Sequence, residues 1–66
     1  MSRGLRSQAE ARQHAISEGM GQPMAIILTT DDDGVATHEH CPERMVETLY
    51  GVQIRGEIAR VVEVIR

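Results

Sequence analysis

A small single α+β domain of order helix, β-hairpin, helix, helix, completed by homodimerisation, is the fold class this sequence predicts. Three observations predict it. Ser7-Gln8-Ala9-Glu10 has the spacing of a capping box, in which a serine side chain accepts from the backbone three residues on. The apolar run Met24-Ala25-Ile26-Ile27-Leu28 is followed by Asp31-Asp32-Asp33-Gly34 and then by Val35 to His40, the pattern of two strands around a tight turn. Ile58, Val61, Val62 and Ile65 recur at helical spacing, with Glu57, Arg60 and Glu63 opposite.

Taken in order, Met1 to Arg6 are polar apart from Leu5 and are expected to fray. The first helix is predicted over 7–19, with Gly19 placed to close it in the left-handed conformation. Its apolar stripe of Leu5, Ala9, Ala15 and Ile16 is small and contributes little area. Met20-Gly21-Gln22-Pro23 is a connector, because glycine frees the backbone and Pro23 biases Gln22 away from helix.

The hairpin spans 24–41. A three-residue loop with Gly34 in the left-handed position pairs Leu28 with His38; a two-residue turn pairs it with Thr37. The first strand is apolar on both faces and needs cover on both, from helices on one side and from helices or a second subunit on the other. Pro42 and Glu43 suit the start of a helix over 42–50, presenting Met45, Val46 and Leu49 and ending at Gly51. The periodicity makes 53–66 a final helix. The β-branched residues Val52, Ile54, Val61, Val62 and Val64 make a strand the competing reading there.

Sixty-six residues make one domain of marginal size. One cysteine, Cys41, allows no internal disulfide, and Tyr50 is the one aromatic residue, so help is expected from a metal or a second copy. Self-association is assigned to the layer Ile58, Val61, Val62 and Ile65. A net charge of −3 supplies no general field for a phosphate backbone. All basic residues are arginine, and Lys, Asn and Phe are absent, which suggests a G+C-rich bacterial genome, its phages or its mobile elements. A lone cysteine and no secretory apolar segment point to the cytoplasm. No apolar run approaches the ~20 residues of a membrane span.

Four constellations bear on chemistry. His38 and His40 project from one face of a strand, and with Cys41 brought round by a bend before Pro42 they would offer three zinc ligands, His14 or Glu43 making a fourth. Paired short ligand spacings, the mark of a structural zinc site, are missing, so a strand end with two histidines is the preferred reading. Asp31-Asp32-Asp33-Gly34 lacks the spaced oxygens and distant Glu of a calcium loop and reads as a solvated acidic knob able to meet an arginine-rich partner surface. A Cys41–His40 nucleophile lacks an orienting residue and any identifiable oxyanion donor. A helix-turn-helix around Gly51 would bury Glu57 and Arg60, and Glu47, Glu57 and Glu63 interleave with the arginines, so a solvated face is preferred.

The function expected is therefore that of a binding module, not an enzyme: a small regulator or inhibitor, encoded by a phage or mobile element, that docks on another protein through Asp31, Asp32 and Asp33. The alternatives are a zinc module built on His38, His40 and Cys41, and a dimeric DNA-binding regulator.

Overall fold

The computed structural model describes residues 5–66. The elements are α1 (Gln8–Gly19), β1 (Met24–Thr30), β2 (Ala36–Pro42), a 3-10 turn (Glu43–Met45), α2 (Val46–Arg55) and β3 (Ala59–Ile65). The strands form one antiparallel sheet in the order β2-β1-β3, so the first strand in sequence is the central one.

Successive side chains of a strand face opposite ways, and β1 is apolar at every position from Met24 to Leu28. Met24 and Ile26 join Ala11 and Ala15 of α1, with Val62 and Ile65 packed against them. Ala25 and Ile27 join Cys41 and Ala59, under Val46, Tyr50 and Ile54 of α2. The helices thus cover opposite faces and the domain has three layers. The cover expected over both faces of β1 comes from one helix on each. Ile26 and Ile27 are both 0% exposed. Complete burial of such a side chain is worth about 1.5–3 kcal/mol, a large share of the stability of so small a domain.

The α1 start is as the sequence predicts, with Ser7 Oγ accepting from the Glu10 N–H at 3.2 Å. Its end differs by one residue. Met20, not Gly19, takes the left-handed conformation, with φ 51°, and Gly21 follows at φ 89°. Gly19 is needed for proximity instead, since a Cβ there would sit 2.6 Å from Met24 Cγ. The fraying expected of Met1 to Arg6 falls outside the described residues as far as Gly4. Arg6 itself is tied to β2: its N–H donates to Thr37 Oγ1 at 2.8 Å, and its carbonyl accepts from the His38 N–H at 3.1 Å.

Leu28 pairs with His38, the register of the three-residue loop. Asp31 holds this turn. Its Oδ1 accepts from the N–H groups of Asp33 and Val35, each at 2.9 Å, and its carbonyl accepts from Gly34 at 3.0 Å. Gly34 has φ 80°, the left-handed geometry the loop requires.

Pro42 ends β2 and is the N-cap of the 3-10 turn, not the first residue of a helix over 42–50. Opposite Met24 its ring nitrogen faces away from β1, as does the N–H of His38 four residues earlier, so a missing donor costs the ladder nothing. Gly51 does not end α2, which continues to Arg55. The side chains of Glu47 and Arg55 form an ion pair across it.

The largest correction concerns the last segment, which is the strand β3 and not a helix. Ile26 pairs with Glu63 and Ile27 with Val61, leaving Val62 as an extra residue in a β-bulge. The bulge interrupts the alternation. Ala59, Val61 and Val64 stand opposite the α2-facing residues Thr29, Ile27 and Ala25, so the spacing on one face is two and then three. On the other face the bulge leaves Val62 and Ile65 three apart, and these, with Val61 beside them in sequence, are what imitate a helical period. The β-branched composition was the correct guide.

Three outcomes follow for stability. Ile26→Ala and Ile27→Ala each remove about 2–5 kcal/mol, against roughly 3–5 kcal/mol available to a domain of this size, and are expected to abolish the cooperative thermal transition seen by circular dichroism. Ile→Val at either position costs about 0.5–1.5 kcal/mol and is expected to retain the transition at a lower midpoint. At Gly51, the atoms nearest an added Cβ are the outer ends of Glu47 and Arg55, which can swing away. Gly51→Ala is therefore expected to raise stability by up to about 1 kcal/mol, through helix propensity; a lowered midpoint would contradict this account of the position.

Candidate functional site

The sheet presents the acidic turn at one end, beside a groove on the α2 face. Thr29 and Thr37 pair across the strands, and with Glu39, Gln53, Val35, Asp31 and Asp32 they border a shallow hollow of about 280 Å3. That is at the small end for an enclosed small-molecule site, and it is open along its length. The Asp31 carboxylate is committed to the turn, whereas Asp32 and Asp33 are exposed at its tip. Val35, 41% exposed, adds an apolar contact next to the charges. Negative charge on a turn held by three hydrogen bonds to Asp31, beside exposed apolar surface, can receive a basic side chain with little ordering cost.

Farther along the same face, Tyr50 Oη donates to Glu39 Oε2 at 3.3 Å. Burial first, and then the Glu39 carboxylate, push the Tyr50 phenol up to about 12. Cys41 lies beneath, 2% exposed, and burial, followed by the Glu39 charge, raises its thiol. A thiol held protonated is a poor nucleophile. Cys41 serves here as a small apolar group in the α2-side core.

His38 and His40 share the opposite face of β2, as strand alternation requires, and Cys41 points away from both. The structure does not bring the three together. Among the described residues, no group of three or more His, Cys, Asp or Glu side chains is arranged to hold a metal ion. His38 is occupied locally, with its Nδ1 3.1 Å from the Arg6 carbonyl. His40 instead meets α1: its ring stacks on His14 at 5.9 Å between centroids, and its Nε2 lies 3.2 Å from Glu18 Oε2. Glu18 also lies 3.6 Å from His14 Nδ1, so one carboxylate faces two imidazoles. The sequence signal for this cluster was the i,i+4 spacing of His14 and Glu18; its third member follows only from the fold. The cluster joins α1 to β2.

Ile58, Val61, Val62 and Ile65 do not share one face. Val62 and Ile65 pack on the α1-side core, Val61 stands opposite Ile27 on the other, and Ile58 precedes the strand. What they share is the β3 edge. Three of the six described arginines, Arg12, Arg55 and Arg66, are paired with carboxylates within the chain. Arg12 makes a two-pronged contact to Glu63, and Arg66 reaches Glu43 at 2.9 Å. Hydrogen bonding from Arg12, then from Gln8, lowers the Glu63 carboxyl.

Compared with models of known protein families, with curated proteins and with solved structures, the chain matches none. No helix among the described residues is long and apolar enough to cross a membrane.

Tyr50 allows a direct check of the α2 face, because it is the only tyrosine and the chain has no tryptophan. In the unfolded chain the phenol ionises near about 10. The fold favours the protonated form, so its contribution to stability is complete below that pH and is lost as pH rises toward 12. Ultraviolet titration is expected to show tyrosinate appearing near pH 12, and earlier in Glu39→Gln. A midpoint near 10 in folded protein would contradict the packing described.

Proposed function

We propose that this chain is a binding module, a small regulator or inhibitor that docks on another protein through the hairpin tip and the groove behind it. The observation that supports this reading best is the division of labour among the three aspartates. Asp31 fixes the turn, while Asp32 and Asp33 are displayed beside Val35 and the threonine-lined groove. The partner surface that fits is a basic segment carrying at least one apolar side chain. Charge at such a rim acts mainly on encounter rate and specificity, and its effect falls as salt is raised.

The test is capture of partners from the source organism with wild-type protein, followed by affinity measurement on the purified partner. Asp32→Lys/Asp33→Lys leaves Asp31 and the turn in place. It is expected to weaken binding by at least about tenfold at low salt, with the difference shrinking as salt rises. Equal affinity for wild type and variant would remove the tip from the interface.

A further inference from the structure

We propose that two copies of this chain pair antiparallel through the outer edges of β3, joining their sheets into one of six strands, with Arg60 of one protomer opposite Glu63 of its partner. β3 is one of the two edge strands of the sheet, and the other, β2, already receives Arg6 on its outer side. The His38 N–H leaves the sheet to reach Arg6, so His38 and Leu28 are not hydrogen-bonded to each other and the backbone of Leu28 serves β3. Arg60, Glu63 and Ile65, opposite Leu28, Ile26 and Met24, therefore turn their backbone groups inward. Those of Ala59, Val61 and Val64 turn outward, and no backbone partner meets them among the described residues. Val61 is 40% exposed and Ile58 54% exposed along this edge.

The sequence of the edge chooses the occupant. Glu57 to Arg66, read against itself antiparallel, sets Glu57 on Arg66, Ile58 on Ile65, Ala59 on Val64, Arg60 on Glu63 and Val61 on Val62. Every charge is set opposite its complement and every aliphatic residue opposite another, with the central Val61 and Val62 carrying their side chains on different faces of the sheet. A slip of one residue either way puts Arg60 and Glu63 opposite aliphatic residues, so the pattern selects one register.

Such a register pairs odd positions with even ones. In a regular strand that would set opposite faces against each other. The Val62 bulge shifts the alternation by one residue, and from Glu57 to Arg60 the faces then match those from Arg66 back to Glu63. Ala59 and Val64, both with outward backbone groups, become a hydrogen-bonded pair. Arg60 and Glu63 fall at a non-hydrogen-bonded pair, where side chains approach most closely. Glu63 is already held by Arg12 and Gln8, so its carboxylate is in place for a second guanidinium.

Asp32 and Asp33 are not among the paired residues, and Ile58 is the one residue that borders both the groove and this seam, so loss of tip binding and loss of pairing are read separately. Sedimentation equilibrium of the full chain over a concentration series is expected to show the average mass rising from one chain to two. Arg60→Glu, which sets carboxylate against carboxylate, should raise the dissociation constant at least about tenfold while the circular dichroism spectrum and tip binding are kept. Register is tested by oxidising an equimolar mixture of Arg60→Cys and Glu63→Cys chains, each also carrying Cys41→Ser. The mixed disulfide is expected to dominate over either like-with-like product, since the non-hydrogen-bonded pair has disulfide geometry. A monomer at every concentration, a dimer indifferent to Arg60→Glu, or a predominance of like-with-like disulfides would overturn the proposal.

Discussion

Ile26 and Ile27 are neighbours in the chain, point to opposite sides of the sheet, and are both without solvent exposure. Two-sided burial of one strand is the constraint on which the other elements depend. It requires a layer above and a layer below, and the chain supplies one helix for each. It also requires a strand on either flank, because backbone groups in a strand covered on both faces have no water to bond. The hairpin provides β2 on one side. The C-terminal segment provides β3 on the other, which gives seven residues that alternate imperfectly a fixed structural role.

The two cores are built differently. On the α1 side the helix contributes Ala11 and Ala15, whose small side chains allow it to lie close over Met24 and Ile26, and polar contacts reinforce the dock. Arg12 and Gln8 grip Glu63 of β3, while Glu18 and His14 meet His40 of β2. On the α2 side larger residues, Val46, Tyr50 and Ile54, cover Ala25, Ile27 and Cys41. A helix weak in apolar area is thus held by side-chain contacts to both edge strands. A more apolar helix is held by packing.

The capping box, the hairpin and the need for cover on both faces of β1 were legible because each rests on interactions local in sequence. The turn geometry is dictated within five residues by Asp31 and Gly34, and composition places Ile26 and Ile27 inside. The helix ends were less legible. Gly51 lies within a helix and Met20 adopts the left-handed conformation that Gly19 seemed made for, because Gly19 answers to the approach of Met24, five residues on. The identity of β3 was hidden by its bulge, which exists only in register with β1. His38 and His40 on one strand face are legible from alternation, which also sends Cys41 to the other core; that His40 lies against α1 follows only from the fold. The acidic turn was visible as a charge run; that Asp31 works for the turn while Asp32 and Asp33 are displayed was not.

Amide hydrogen exchange followed residue by residue on the native protein tests the central claim most directly. If β1 is the strand on which both layers depend, the Ile26 and Ile27 amides exchange slowest of all, at the rate set by global unfolding, and those of α1 open earlier. Ile26 and Ile27 amides that exchange through local opening, faster than those of either helix, would contradict the account and move the structural centre of the domain away from this strand.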